Sequence, residues 1–361
     1  MSRFFSEKYA ALTPYVPGEQ PQGRKYIKLN TNESPFPPSP VACRLARQEA
    51  GELELYSDPQ CRSLVSAACE TLGVREDEIL FTNGSDEILN FAFMAFCDKD
   101  HPAVFPDITY GFYSVFAQLN GVPYEEIPLR DDFTVNVEDY VGIGKTVFIA
   151  NPNAPTGIVL PKSEIERIIA SNPDNIVVVD EAYIDFGGES AADLTRKYDN
   201  LLVCQTFSKS RSLAGGRLGF GIGCPSLIAD LNTVKYSTNP YNVNRMTMAA
   251  GVGALLDRDY FEKNCRSTVA TRTRTAEKLR EMGFSLTDSS TNFLFAAHPA
   301  IGGKELYLAL KEKGVLVRHF DKERLKDYNR ITVGSDEQMD RFLEIVAEIL
   351  ASLPEGGKEK K

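Results

Sequence analysis

The sequence predicts an α/β chain: a large doubly wound domain on a mostly parallel sheet, followed by a smaller α+β domain. Three observations carry this. From Asp58 onward, short β-branched runs alternate with amphipathic stretches, the pattern of crossover units that cover a parallel sheet with helices on both faces. After about Ser237 the period changes, and long helical stretches mix with short strands. The length of 361 residues, 43% of them hydrophobic, is too great for one simple core and too small for three.

Residues 1 to about 40 are rich in proline and polar residues and end in LNTNESPFPPSP, which has neither period. This stretch reads as an arm that needs another surface, contributing to the small domain. The large domain then spans 41–242. Its strands are expected at 78–81, 102–105, 146–150, 175–180, 201–206 and 218–223, and its helices at 59–72, 85–97, 110–120 and 162–171. The small domain spans 243–353. It opens on long helix over 243–282, broken near Asp257-Arg258, and continues with the strands FSL, NFLFAA, VLVR and RITVG and helices at 303–313 and 336–351. The charged tail at 354–361 reads as disordered.

Several function classes are excluded on composition. A net charge of −10 argues against a nucleic-acid or anionic-membrane surface, while leaving room for a locally basic site. The seven cysteines are odd in number and form no CxxC pair, which points to a reduced, cytoplasmic compartment. MSRFFSEKYAAL has no long apolar core, and ILNFAFMAFC at 88–97 is far below bilayer length, so neither export nor membrane insertion is expected. His101, His298 and His319 are widely spaced without HExxH or a cysteine cluster, so no metal is expected. GIGKT at 142–146 misses a P-loop because Asp139 takes the first glycine position and the run precedes its strand. No G-x-S-x-G elbow is present.

The chemistry belongs at the carboxyl ends of the strands, where open α/β sheets bind ligands. VVVDEAY places Asp180 at such an end, facing the crevice or capping the next turn, with Tyr183 three residues on. FTNGSDE opens a helix, so the amides of Gly84 and Ser85 form either an anion seat or an ordinary cap. ANPNAPTG makes a stiff polar loop at the same rim. TFSKSRSLAGGRLGF brings Lys209, the side-chain type that forms Schiff bases, near Arg217 among glycines, a residue suited to a bidentate grip on phosphate. Taken singly, Lys209 is as readily a solvated loop lysine. Together the strand ends offer a carboxylate, a phenol, a phosphate seat and an amine, which are the requirements of pyridoxal phosphate, and Tyr110 offers an aromatic face for its ring.

These motifs resemble the fold type I, aspartate aminotransferase-like enzymes. LTPY (12–15) and LNTNESP (29–35), with LYSDPQ, TNGSDE, PNAPTG, TFSK, TNF, VRHF and RITVG, resemble the histidinol-phosphate aminotransferase branch over nearly the whole chain. The resemblance implies a homodimeric enzyme that carries pyridoxal 5'-phosphate on Lys209. It implies transamination of L-histidinol phosphate with 2-oxoglutarate to imidazole acetol phosphate and L-glutamate by a ping-pong route. It further implies that Asp180 pairs with the pyridine nitrogen, Tyr183 donates to the ring oxygen and Tyr110 stacks on the ring. Gly84, Ser85, Ser208 and Arg217, in a site that includes Asp86, would hold the phosphate, with Tyr56 reaching across from a second subunit. Tyr15, Asn32, Arg318 and Arg330 would line the substrate pocket. One departure is Ala154, where the family often has the asparagine that bonds the ring oxygen; Asn153 or Tyr183 is then expected to serve. A second is Arg211, where a smaller or apolar residue is usual; it is either a further phosphate contact or of no consequence. An aromatic or broad-specificity aminotransferase and a related phosphoamino-acid decarboxylase would use the same machinery.

Overall fold

The protein is described by a computed structural model over residues 2–10, 12–20 and 23–354. The tail expected over 354–361 lies, but for Pro354, outside the described residues. Seven strands form the central sheet in the order 79–82, 219–222, 201–206, 177–180, 146–150, 103–106 and 124–127. All run parallel except Gly219–Ile222, which is antiparallel to both of its neighbours. Val177, Val178 and Val179 are fully buried, as strands covered on both faces must be.

One consequence of that single reversal positions the site. Gly219 pairs with Thr82 and Thr206, so this strand begins at the rim where its neighbours end. Arg217, two residues earlier, is therefore delivered to the same crevice as Asp180 and Lys209.

A second, antiparallel sheet has the order 318–319, 328–332, 293–297 and 285–286. The helix Asp336–Ala351 packs Met339, Phe342, Val346 and Ile349 into the core beneath it. The arm is anchored here: Ile27–Lys28 pairs in parallel with Val315–Leu316, and Leu29 is fully buried. A break at Asp257 separates Arg245–Leu256 from Arg258–Glu281.

Besides the short strand Ile27–Lys28, three longer elements were not expected from sequence. Pro40–Glu49 is a helix whose first turn is capped by Ser39 Oγ, accepting from the Ala42 N–H at 3.1 Å, with Pro40 at the position that needs no donor. Tyr124–Ile127 is an exposed edge strand whose Glu125 and Glu126 hide its apolar signal, as charges on edges do. Pro225–Thr238 is a helix whose buried face includes Lys235, its ammonium donating to the Pro59 carbonyl. Expected helices at 59–72 and 110–120 begin later, at Arg62 and Phe112. Among the described residues no helix is long and apolar enough to cross a membrane, and all seven cysteines are free.

Candidate active site

Strand ends converge on one cavity lined by Ser85, Asp86, Tyr110, Asp180, Tyr183, Ser208, Lys209 and Arg217, all singled out from sequence. Asp180 is the last residue of its strand and is buried. Its Oδ2 accepts from Tyr113 Oη at 3.1 Å and its Oδ1 from the Ala182 N–H at 3.2 Å. Burial pushes its carboxyl up to about 6, against the lowering effect of those hydrogen bonds and of Lys209. A carboxylate kept so short of partners is poised to receive a cation.

Lys209 follows the strand Leu201–Thr206 and holds its Nζ 3.4 Å from the Thr31 carbonyl and 5.6 Å from the centre of the Tyr183 ring. Tyr183 Oη accepts from Asn32 Nδ2 at 2.9 Å, and its ring meets Phe293 edge-on. The backbone geometry at the other end of the cavity is tight. Gly84 adopts φ 81°, and a Cβ there would lie 2.6 Å from Arg217 Nη2; only glycine accepts both conditions. Gly219 is closer still, since a Cβ on it would stand 2.3 Å from the Ser85 nitrogen. Arg217 itself has φ 53° and pairs with Asp86 Oδ2 at 2.9 Å, while Asp86 Oδ1 accepts from Tyr110 Oη at 2.6 Å. Asp86 therefore ties the aromatic residue to the cation. Thr206 Oγ1 donates to Ser208 Oγ at 3.1 Å.

The expectation for Asn153 is corrected. Its Nδ2 donates to the Ile108 carbonyl and to Thr156 Oγ1, both at 3.0 Å, and its Oδ1 accepts from Thr109 Oγ1 at 2.9 Å. These bonds consume the amide inside the loop, and Ala154 lines the cavity in its place. Arg211 stacks on Phe207 and Phe261 and lies outside the cavity lining. Tyr56 is 80% exposed and stacked on Tyr241 at 4.5 Å, away from this chain's own cavity. Tyr113 and Thr206 were missed as site residues. The spacing of Tyr110, just before the helix that begins at Phe112, and Tyr113, in its first turn, was the available signal for Tyr113.

Tyr110, Ala154, Tyr183 and Lys209 also line a second chamber of about 410 Å³, roofed by the arm. Tyr15 stacks on Phe112 at 4.3 Å, and Arg318 donates to the Val16 and Pro17 carbonyls at 2.9 and 3.1 Å. Arg330 donates to the Asn30 carbonyl at 3.1 Å, its Nε has no partner, and burial pulls its guanidinium below the ordinary arginine value. Asn30 Oδ1 in the same wall is also without a partner. Buried polar atoms left this way are partners for an ordered water or a polar ligand. Lys322 and Phe320, not singled out from sequence, complete the lining on the Arg318 side.

The family model for aminotransferase class I and II matches residues 24–346. The chain is 49% identical over 352 residues to the histidinol-phosphate aminotransferase of Brachyspira hyodysenteriae, covering 97% of this chain and 99% of that protein. It is 44% identical to the histidinol-phosphate aminotransferase of Clostridium acetobutylicum, covering 97% and 100%. In fold it is similar to histidinol-phosphate aminotransferase from Sinorhizobium meliloti solved with pyridoxal-5'-phosphate, with a TM-score of 0.89 at 24% identity over 98% of this chain and 99% of that one.

Proposed function

Because the chain belongs to the class I and II aminotransferase family, and is thus a pyridoxal-phosphate-dependent transaminase, we propose that it transfers the amino group of L-histidinol phosphate to 2-oxoglutarate. The relatives at 44–49% identity support this reading. The observation that carries it is the chamber joined to the Lys209 cavity, with Arg318 and the partly unpartnered Arg330 in its wall. Guanidinium groups there suit a donor phosphate in one half-reaction and a dicarboxylate in the other.

The residues present fit the cofactor on the chemistry of the donor set: a buried carboxylate without a cation, an amine in reach of it, and an arginine beside a helix N-terminus. When bound, pyridoxal phosphate supplies a ring that withdraws the electrons released at the substrate Cα. Asp180 would hold the proton on the ring nitrogen. The Ser85 N–H, Ser208 Oγ and Arg217 would grip the phosphate, whereas the Gly84 N–H, expected to join them, donates to the Thr82 carbonyl at 2.9 Å. Tyr110 would face the ring and Tyr183 Oη would donate to its oxygen. Lys209 Nζ would anchor the cofactor and, as a free amine, would serve as the base and then the acid for the proton on the substrate Cα. Gly219→Ala should push the first turn of the Ser85 helix outward and weaken pyridoxal phosphate binding about tenfold or more, measured by fluorescence titration.

The expected boundary at 242/243 is corrected, because Val243, Met248, Ala250, Ala254 and Leu255 pack in the same core as the seven-stranded sheet; on the same reading the cofactor-bearing domain runs on through the helix Arg245–Leu256, and the chain from Arg258 with the arm forms the smaller domain that carries Arg318 and Arg330. Exposed Leu53, Leu55 and Tyr56 support a homodimer in which Tyr56 reaches the phosphate of a second subunit. The free cysteines support a reduced cytoplasm.

A donor panel on purified protein tests the substrate. Histidinol phosphate should bleach the bound cofactor's visible band at far lower concentration than phenylalanine or threonine phosphate, and Arg330→Ala should raise its KM about a hundredfold. Equal efficiency with phenylalanine would favour the aromatic enzyme. Release of CO₂ from threonine phosphate would favour the decarboxylase.

A further inference from the structure

We propose that Asn32 is a positioning residue for the Tyr183 hydroxyl, aiming that hydroxyl's proton at the cofactor's ring oxygen; this rests on the cofactor reading above. Asn32 is 1% exposed and takes φ 54°, a left-handed conformation that asparagine tolerates better than most residues. Its surroundings settle which end of its amide points where. Thr332 Oγ1 accepts from the Asn32 N–H at 2.9 Å and donates its own proton to Asn32 Oδ1 at 3.1 Å. Nδ2 is left facing Tyr183 Oη at 2.9 Å, where an amide nitrogen can only donate. The Asn32 carbonyl is held in turn by Asn292 Nδ2 at 3.0 Å.

A hydroxyl that accepts from one side turns its single proton elsewhere. On this wall the other side-chain candidates for the ring oxygen are gone: Ala154 has no side-chain donor, and both Nδ2 hydrogens of Asn153 are spent on Ile108 and Thr156. Tyr183 is left to serve that oxygen, and Asn32 decides that it does so as a donor. The arrangement also joins three separate pieces of chain, since Asn32 is on the arm, Tyr183 follows a strand of the seven-stranded sheet, and Thr332 ends a strand of the four-stranded sheet.

Donation to an oxygen that carries negative charge favours its ionised form, so losing a correctly aimed donor raises the pH at which the bound cofactor's visible band titrates. The test is that titration on the holoenzyme. Asn32→Gly is the variant of choice because glycine keeps the left-handed backbone while removing the amide. It should raise the midpoint by roughly half to one pH unit, and Tyr183→Phe by about one to two. The double variant should match Tyr183→Phe alone, because Asn32 acts only through the hydroxyl. Thr332→Val, which removes the group that orients the amide, should shift the midpoint in the same direction and stands in if Asn32→Gly does not fold. An unchanged midpoint in both variants overturns the proposal, as does a shift that persists in full in the Tyr183→Phe background. A wild-type protein with no titrating visible band would instead remove the cofactor reading, and this proposal with it.

Discussion

Lys209→Ala should lower turnover by about a thousandfold or more, the scale on which a positioned proton carrier and covalent anchor contribute. The fold should be untouched. The one hydrogen bond from Nζ is a 3.4 Å contact to the Thr31 carbonyl, and no buried apolar cluster depends on this side chain. Arg217, Ser208 and the helix start at Ser85 remain, so the variant should still take up pyridoxal phosphate without covalent attachment. Borohydride reduction followed by peptide mass analysis separates the two functions. Wild-type protein should carry the reduced cofactor on the Lys209 peptide, and the variant should carry none. Turnover within tenfold of wild type, or a reduced adduct on another lysine, would contradict the assignment.

Asp180→Asn should affect activity and stability in opposite senses. In the ligand-free protein burial lifts the Asp180 carboxyl from its ordinary 3.8 to about 6. The sign follows from linkage: a raised folded-state value means that stability is fully present below about pH 4 and is lost as pH rises through 6. A shift of about two units amounts to about 3 kcal/mol. Asparagine escapes this cost, although its single carbonyl oxygen can accept from Tyr113 or from the Ala182 N–H but not from both, which offsets part of the gain. Ligand-free Asp180→Asn should therefore melt several degrees above wild type at pH 8, with the gap closing toward pH 4. With pyridoxal phosphate bound the advantage should disappear, because the ring nitrogen then supplies the missing cation to the wild-type carboxylate. Turnover should fall about a hundredfold or more, since a neutral amide cannot hold the proton on that nitrogen. Identical melting curves for the two ligand-free proteins at pH 8, or unchanged turnover, would refute the account.

The readable parts of this protein are those where local pattern and burial agree. VVVD announces a strand covered on both faces, and its terminal acid announces a rim; the same logic found Lys209, Ser85 and Tyr110. Elements that mix signals stayed hidden. The edge strand Tyr124–Ile127 carries charge where pattern reading wants apolar residues, and the helix Pro225–Thr238 buries Lys235 on its inner face. In both cases a tertiary neighbour or exposure to solvent, absent from any local window, satisfies the charge.

By itself the sequence determined the α/β architecture, the strand ends where chemistry gathers, and the residue types gathered there, because side-chain period and turn chemistry act over a few residues. Only the tertiary structure decided what those residues face. Asn153 and Ala154 are neighbours in one loop, yet the amide is consumed by Ile108, Thr109 and Thr156 while the methyl group meets the cavity. Asn32, Tyr183 and Thr332 lie far apart along the chain and become one hydrogen-bonded unit only when two sheets and the arm meet. Hydrogen-bond direction depends on which partner arrives from across the fold, and that information is not local.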